Sequence, residues 1–170
     1  MTGKHPVDGG LGVTGAPRPT ATLYTMEERR RRDESKWTLV QGILAPLQFI
    51  VFAISLALVI RFLSTGVGEA AADLSIVLKT AILYTIMITG SIWEKDVFGK
   101  WLFAKPFFWE DVFSMGVIAL HTLYLYLLFF STAPVETRML VALAAYGAYV
   151  INAGQFLWKL RMARLDTVAA

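Results

Sequence analysis

The chain has 170 residues, 56% hydrophobic and 17% charged, with a mean hydropathy of +0.55 and a net charge of +3. Soluble domains are typically about 45–50% apolar and about 25% charged, so an ordinary soluble fold is excluded and one membrane domain accounts for the length. The chain has no cysteine, which excludes disulfides, thiolate zinc sites, iron–sulfur clusters and covalent haem attachment. The modest charge shows no nucleic-acid footprint.

Residues 1–22 are rich in Gly, Pro and Thr and lack the apolar core of a signal peptide. They read as a disordered tail. Residues 23–36 form a short, charged, amphipathic stretch with Thr25 as N-cap, Glu27 and Glu28 in the first turn, and Arg29, Arg30, Arg31 and Arg32 after them. A basic cluster just before an apolar run is a topology signal for the cytoplasmic side.

Four apolar segments follow, at about 37–63, 74–93, 112–130 and 139–158. Each is near the ~20 residues that a helix needs to cross the hydrocarbon core. None alternates as a barrel strand would, so helices are expected. Residues 64–73 and 131–138 are short polar turns, and short turns make neighbouring helices antiparallel. The expected fold is thus all-α: an integral membrane domain over 23–165 with four transmembrane helices in an antiparallel bundle, then a C-terminal tail at 166–170.

Lys and Arg set the orientation. Of the 16, only Arg61, Lys79 and Arg138 fall on one side; the rest flank the tails and the central loop. The asymmetry puts both termini and that loop in the cytoplasm. All five tryptophans, Trp37, Trp93, Trp101, Trp109 and Trp158, share that side. An ordinary aromatic belt would occupy both interfaces, so the working end is expected there.

Polar residues inside a membrane bridge helices or carry function. At 100° per residue, Gln41, Gln48 and Ser55 share a face of the first span. Thr80, Tyr84, Met87, Ser91 and Glu94 line the second, and Glu110, Ser114, Val117, His121 and Tyr124 the third. Tyr149, Asn152, Phe156 and Lys159 line the fourth. The economical packing brings these stripes together. Gln41, Gln48, Asn152 and Gln155 read first as packing polar groups, and Gly42, Gly147 and Gly154 as close-approach sites between helices. His121 is either a hydrogen-bonding core residue, a ligand to a pigment's magnesium or a proton carrier. Glu94, Glu110 and Asp111 are either ion-paired with Lys95, Lys100 and Lys105 or chemically active.

Residues 91–111, SIWEKDVFGKWLFAKPFFWED, combine these acids and bases with many aromatic rings. The segments WTLVQGILAPLQF (37–49), YTIMITGSIWEKDVFGKWLFAKPFFWEDVFSMGVIALHTLYLY (84–126) and INAGQFLWKLR (151–161) resemble the vinyl bacteriochlorophyllide hydratases of bacteriochlorophyll synthesis, over about residues 23–165. The resemblance implies a membrane enzyme that adds water to the C3 vinyl group of chlorophyllide a or its bacteriochlorin relative. It also implies that no added metal or redox cofactor is needed, since the substrate carries its own magnesium.

Such chemistry needs a general acid for the terminal vinyl carbon, an acceptor for the water's proton and a slot for a flat ring. A carboxylic acid among apolar rings suits the first role. Glu94 and Glu110 are the leading candidates, with Asp111 third. His121 is a candidate to ligate the pigment's magnesium or to hold the water. Trp93, Trp101, Phe107, Phe108 and Trp109 are expected as flat walls, with Tyr84, Gln48 and Asn152 lining the interior. Lys105, with Lys95, Lys100 and Lys159, is expected to pair with the pigment's propionate. Expected partners are the pigment, the bilayer, and either further copies of the chain or other pigment-synthesis enzymes. A non-catalytic pigment-binding or assembly protein, with His121 as a structural magnesium ligand, is the competing reading of the residues alone.

Overall fold

A computed structural model describes residues 23–168, with side chains through Met162. The expected tail at 1–22 lies outside these residues, as does the end of the one at 166–170. The described chain is all helix and loop: α1 (Met26–Glu34), α2 (Lys36–Thr65), α3 (Glu69–Phe98), α4 (Phe108–Phe130) and α5 (Val135–Val168). The last four are long and apolar enough to cross a membrane. They outrun the apolar windows because a helix propagates through flanking polar turns as long as its backbone ladder continues. The left-handed glycines Gly66 and Gly99 end α2 and α3, a conformation that costs a residue without Cβ little.

α1 begins as expected. Thr25 accepts from the Glu28 amide, and the Glu28 side chain returns to the Thr25 amide at 2.8 Å. Within the stretch 23–36 the buried residue is Tyr24, before the helix, and no residue of α1 itself is buried. Its charges pair with one another at the surface, as Arg30 does with Glu27. What ties this segment down flanks it: Tyr24 before it, and Ser35, whose hydroxyl donates to the Asp96 carboxylate, after it.

α2 lies chiefly on α3 and α4 chiefly on α5, while α3–α4 and α2–α5 contacts complete the bundle. The core holds Phe52, Val59, Ile76, Leu83, Val117, Tyr124, Met139, Tyr146 and Tyr149. Outward positions are large and apolar, among them Ile43, Ile54, Leu78, Leu123, Leu140 and Leu157. Lipid tails are as apolar as these side chains, so burial from water does not drive span against span. Packing shape and internal polar contacts therefore carry more of the specificity.

The polar stripe of α4 is buried along its whole expected length, through Glu110, Ser114, Val117, His121 and Tyr124. On α3 the buried stripe is Ala72, Ile76, Lys79, Thr80, Leu83, Glu94 and Val97. It is thus rotated by one position, and Tyr84, Met87 and Ser91 are only half-buried. The glycine expectation is corrected. A Cβ at Gly42, Gly147 or Gly154 would meet nothing within 4 Å, whereas one at Gly90 would meet the Gln41 side chain at 3.8 Å. The first three face outward, and Gly90 gives room to a helix-bridging amide that donates to Thr89 at 2.8 Å.

Away from the α3–α4 loop, Arg138 closes the far end of the bundle. It meets Glu69 at 2.6 Å and Asp73 at 3.6 Å, and Tyr124 donates to Asp73 at 2.5 Å. Three helices meet in this network. Arg138→Met leaves two carboxylates without their cation and is expected to lower stability by about 2 kcal/mol, measured as a shift in reversible unfolding in detergent. An unchanged unfolding curve would remove the network from the stabilising contacts.

Candidate active site

The α3–α4 loop is built on two carboxyl groups. The backbone amide of Phe103 donates to Asp111 at 2.7 Å, and the next amide, Ala104, donates to Glu94 at 3.0 Å. Consecutive amides can serve one side in this way because Phe103 is left-handed, with φ 58°, a conformation rare outside glycine. Glu94 comes from the last turns of α3 and Asp111 from the first turn of α4. Both are buried, and their carboxyls lie within hydrogen-bonding reach of each other.

Glu110, next in sequence, has a different partner. It forms a 2.7 Å ion pair with Lys159 of α5, and the same ammonium donates to the Pro106 carbonyl. So the structure brings Glu94 together with Asp111 rather than with Glu110. The expected partners Lys95, Lys100 and Lys105 are not those of the acids. Lys95 donates to the Gly99 carbonyl at 3.0 Å, and all three are exposed.

One turn deeper, Asn152 donates to Ser114 at 2.8 Å. Asn152 Oδ1 and both amide atoms of Gln48 are buried with no partner among the described residues. Deeper still, Lys79 meets His121 Nε2 at 2.9 Å, and His121 Nδ1 meets the Val117 carbonyl at 2.8 Å. The second contact requires Nδ1–H, which leaves Nε2 as acceptor from the lysine. Tyr149, Tyr146 and Phe52 surround Lys79 Nζ, with centroids at 4.3, 5.2 and 5.8 Å. Of the readings of His121, these contacts fit the hydrogen-bonding core residue. It is fully buried and both ring nitrogens are engaged inside the chain.

The aromatic candidates divide into two sets. Phe107 and Trp93 belong to an internal cluster with Tyr24, Phe98 and Phe156, and the Trp93 indole donates to Thr38 at 2.9 Å. Tyr24 stacks on Phe98 at 5.8 Å and carries the Arg32 guanidinium 4.9 Å from its centroid. Burial pushes its phenol above the usual value, so it stays neutral near pH 7. Phe103, Phe108 (45% exposed) and Trp109 (66%) form an outer aromatic rim, ring against ring, and Trp101 (60%) is exposed in the same loop. Lys105, in the same loop, is exposed. Tyr84 bonds to Thr122 at 2.6 Å away from these groups.

Lys79 reads from the sequence as a charge on the side away from the central loop, whereas the structure buries it completely. Its spacing from Ala72, Ile76 and Leu83 places it on the buried stripe, and that periodicity was the available signal. The loop amides of Phe103 and Ala104 left no sequence signal.

A four-span membrane protein with a buried acid pair beside an aromatic rim has the makings of an enzyme for a large, flat, apolar substrate. The family model for 2-vinyl bacteriochlorophyllide hydratase matches residues 24–162, and the chain belongs to that family. It is accordingly an enzyme of the hydro-lyase class. It is 67% identical over 157 residues to the 2-vinyl bacteriochlorophyllide hydratase of Cereibacter sphaeroides, covering 92% of this chain and 98% of that one. It is 66% identical over 147 residues to the protein of the same name from Rhodobacter capsulatus, covering 86% and 85%. No solved structure matches.

The Lys79–His121 contact predicts non-additive stability. Lys79→Met strands an imidazole nitrogen and His121→Phe strands an amine, so each alone is expected to cost about 2 kcal/mol. The double variant is expected to cost less than the sum, measured as a double-mutant cycle on unfolding in detergent. Additive losses would mean that the contact contributes nothing.

Proposed function

We propose that the protein hydrates the C3 vinyl group of chlorophyllide a or 3-vinyl bacteriochlorophyllide a to a 1-hydroxyethyl group in bacteriochlorophyll biosynthesis. The name shared by its relatives supports the reaction and the pigment class. The observation that carries the mechanism is the buried contact between Glu94 and Asp111. A hydrogen bond between two carboxyl groups needs a proton on one of them, and that proton is the one to be delivered.

In this mechanism the π electrons of the vinyl group form a new bond from its terminal carbon to the carboxyl proton. Positive charge develops on the adjacent carbon and spreads into the macrocycle. Water attacks that carbon, and the proton it sheds returns to the carboxylate. One water is consumed and the acid pair is restored. The addition is redox-neutral, so the reading assigns no added cofactor; the pigment carries its own magnesium. The macrocycle lies against Trp101, Phe103, Phe108 and Trp109, and Lys105 meets its propionate. Glu110, neutralised by Lys159, is an anchor rather than the acid.

The four spans are antiparallel, with both termini and the α3–α4 loop on the cytoplasmic side of the bacterial inner, intracytoplasmic membrane. The distribution of Lys and Arg and the pairing of Thr38 with Trp93, Gln41 with Thr89 and Ser55 with Ser75 support this. Because the chain has no cysteine, single introduced thiols report sidedness. Lys105→Cys is expected to react with an impermeant maleimide from the cytoplasmic face and Thr132→Cys from the opposite face. The same side for both would overturn the topology.

Glu94→Gln and Asp111→Asn are each expected to lower turnover at least ~100-fold while the protein still inserts and binds pigment. Glu110→Gln is expected to cost less than either. The assay is chlorophyllide added to membranes, with the product read as a gain of one water by mass and a blue shift in absorption. Full activity in both acid-pair variants would sink the mechanism.

A further inference from the structure

Hydration needs a place for the water as well as a proton donor. Candidates for that place are among the buried side-chain atoms that have no partner among the described residues. Gln48 is 2% exposed and Asn152 9%. Gln48 Nε2, Gln48 Oε1 and Asn152 Oδ1 are buried without a hydrogen-bond partner among the described residues. A buried polar group left unpaired costs about 1–3 kcal/mol, so three such atoms on one level call for a common ligand.

Their level follows from the α2–α5 contacts. Phe52 meets Tyr149 with centroids 4.9 Å apart, and Ser55 meets the Tyr146 hydroxyl at 2.5 Å. Residue numbers run in opposite directions across this face. Stepping one turn back along α2 from Phe52 gives Gln48, and one turn on along α5 from Tyr149 gives Asn152. The two amides are therefore opposite each other. Asn152 also donates to Ser114, which is three residues, or ~4.5 Å of helical rise, beyond Asp111 on α4.

The donor and acceptor pattern selects the ligand. One amide offers N–H groups and a carbonyl oxygen; the other offers a carbonyl oxygen, its NH2 group already turned to Ser114. A small group that both donates twice and accepts satisfies the set. Water does so, and so in part does the hydroxyl that the addition creates. We propose that Gln48 and Asn152 bind the water that adds to the vinyl group, on the interior side of the acid pair, with Asn152 linked to the acid-bearing helix through Ser114, one turn beyond Asp111. A proton delivered from the acid pair to the terminal carbon then leaves the inner carbon facing the held oxygen. This inference rests on the acid-pair mechanism and adds the position of the second reactant.

The test uses the full chain in membranes, with chlorophyllide as substrate and Glu94→Gln assayed in parallel. Gln48→Met keeps side-chain length without hydrogen bonding, and Asn152→Leu removes the second acceptor. Each is expected to lower kcat about 100-fold, the scale of losing a preorganised polar contact at a reacting oxygen, with KM for pigment within about twofold. Gln48→Glu, whose carboxyl offers an acceptor and, when protonated, a donor, is expected to stay within about tenfold of the parent. Parent-like kcat in Gln48→Met and Asn152→Leu overturns the water site. So does a joint loss of turnover and pigment binding, which would make the amides packing or pigment contacts. If Gln48→Met does not accumulate in membranes, Asn152→Leu and Gln48→Ser read the same two outcomes. An inactive Glu94→Gln beside an active Gln48→Met overturns the water site alone; an active Glu94→Gln beside an active Asp111→Asn overturns the acid pair instead.

Discussion

Two neighbouring amides, on Phe103 and Ala104, are handed to carboxyl groups on two different helices, and the loop end of the bundle depends on this. The loop between α3 and α4 is rich in large rings and would have little reason to lie in one shape by itself. Binding to Asp111 and Glu94 fixes it, draws the end of α3 to the start of α4 and takes both acids out of solvent. It also sorts the rings. Phe107 is turned inward onto Trp93 and Phe156, while Trp101, Phe108 and Trp109 are left outside. The left-handed Phe103 is the conformational cost of this arrangement, and such backbone tends to be kept where the surrounding contacts over-determine it.

Below that end the polar groups come in layers. Carboxyls and Lys159 stand nearest the loop, then the amides of Asn152 and Gln48, then Lys79 with His121, then Ser55 with Tyr146 and Ser75. The Arg138 network closes the far side. Charged groups with carboxylate partners are thus at the two ends, and the middle relies on pairs that include no carboxylate. That ordering follows the cost of charge in a bilayer, which is greatest at its centre. It also gives each pair of helices a register, since apolar contact between spans distinguishes one register from another only weakly.

Much of this was legible in the sequence because the relevant signals are periodic. The α4 stripe through Glu110, Ser114 and His121 follows from helical spacing alone, and the capping box at Thr25 and Glu28 from local chemistry. What escaped was pairing across elements. Nothing in the order of residues says that Glu110 meets Lys159 while Asp111 meets a loop amide, because adjacent residues on a helix point about 100° apart and their partners lie elsewhere in the chain. The one-position rotation of the α3 stripe has the same origin. Lys79 counts as a charge in the sequence, whereas its surroundings make it a core residue. Gly42, Gly147 and Gly154 were assigned to helix contacts on residue type, which cannot tell an inward face from an outward one.

Tyr24 gives the assembly a definite order. It is seated on Phe98 and Phe107, two residues that exist as neighbours only after α3 has been threaded and its loop folded back. The following residues repeat the pattern, with Ser35 on Asp96 and Thr38 on Trp93. The earliest-made part of the described chain thus has no seat until the middle of the chain is in the membrane. It acts as a clasp closed late on the end of α3 and the α3–α4 loop, so a chain interrupted before the central loop has nothing for the clasp to fasten.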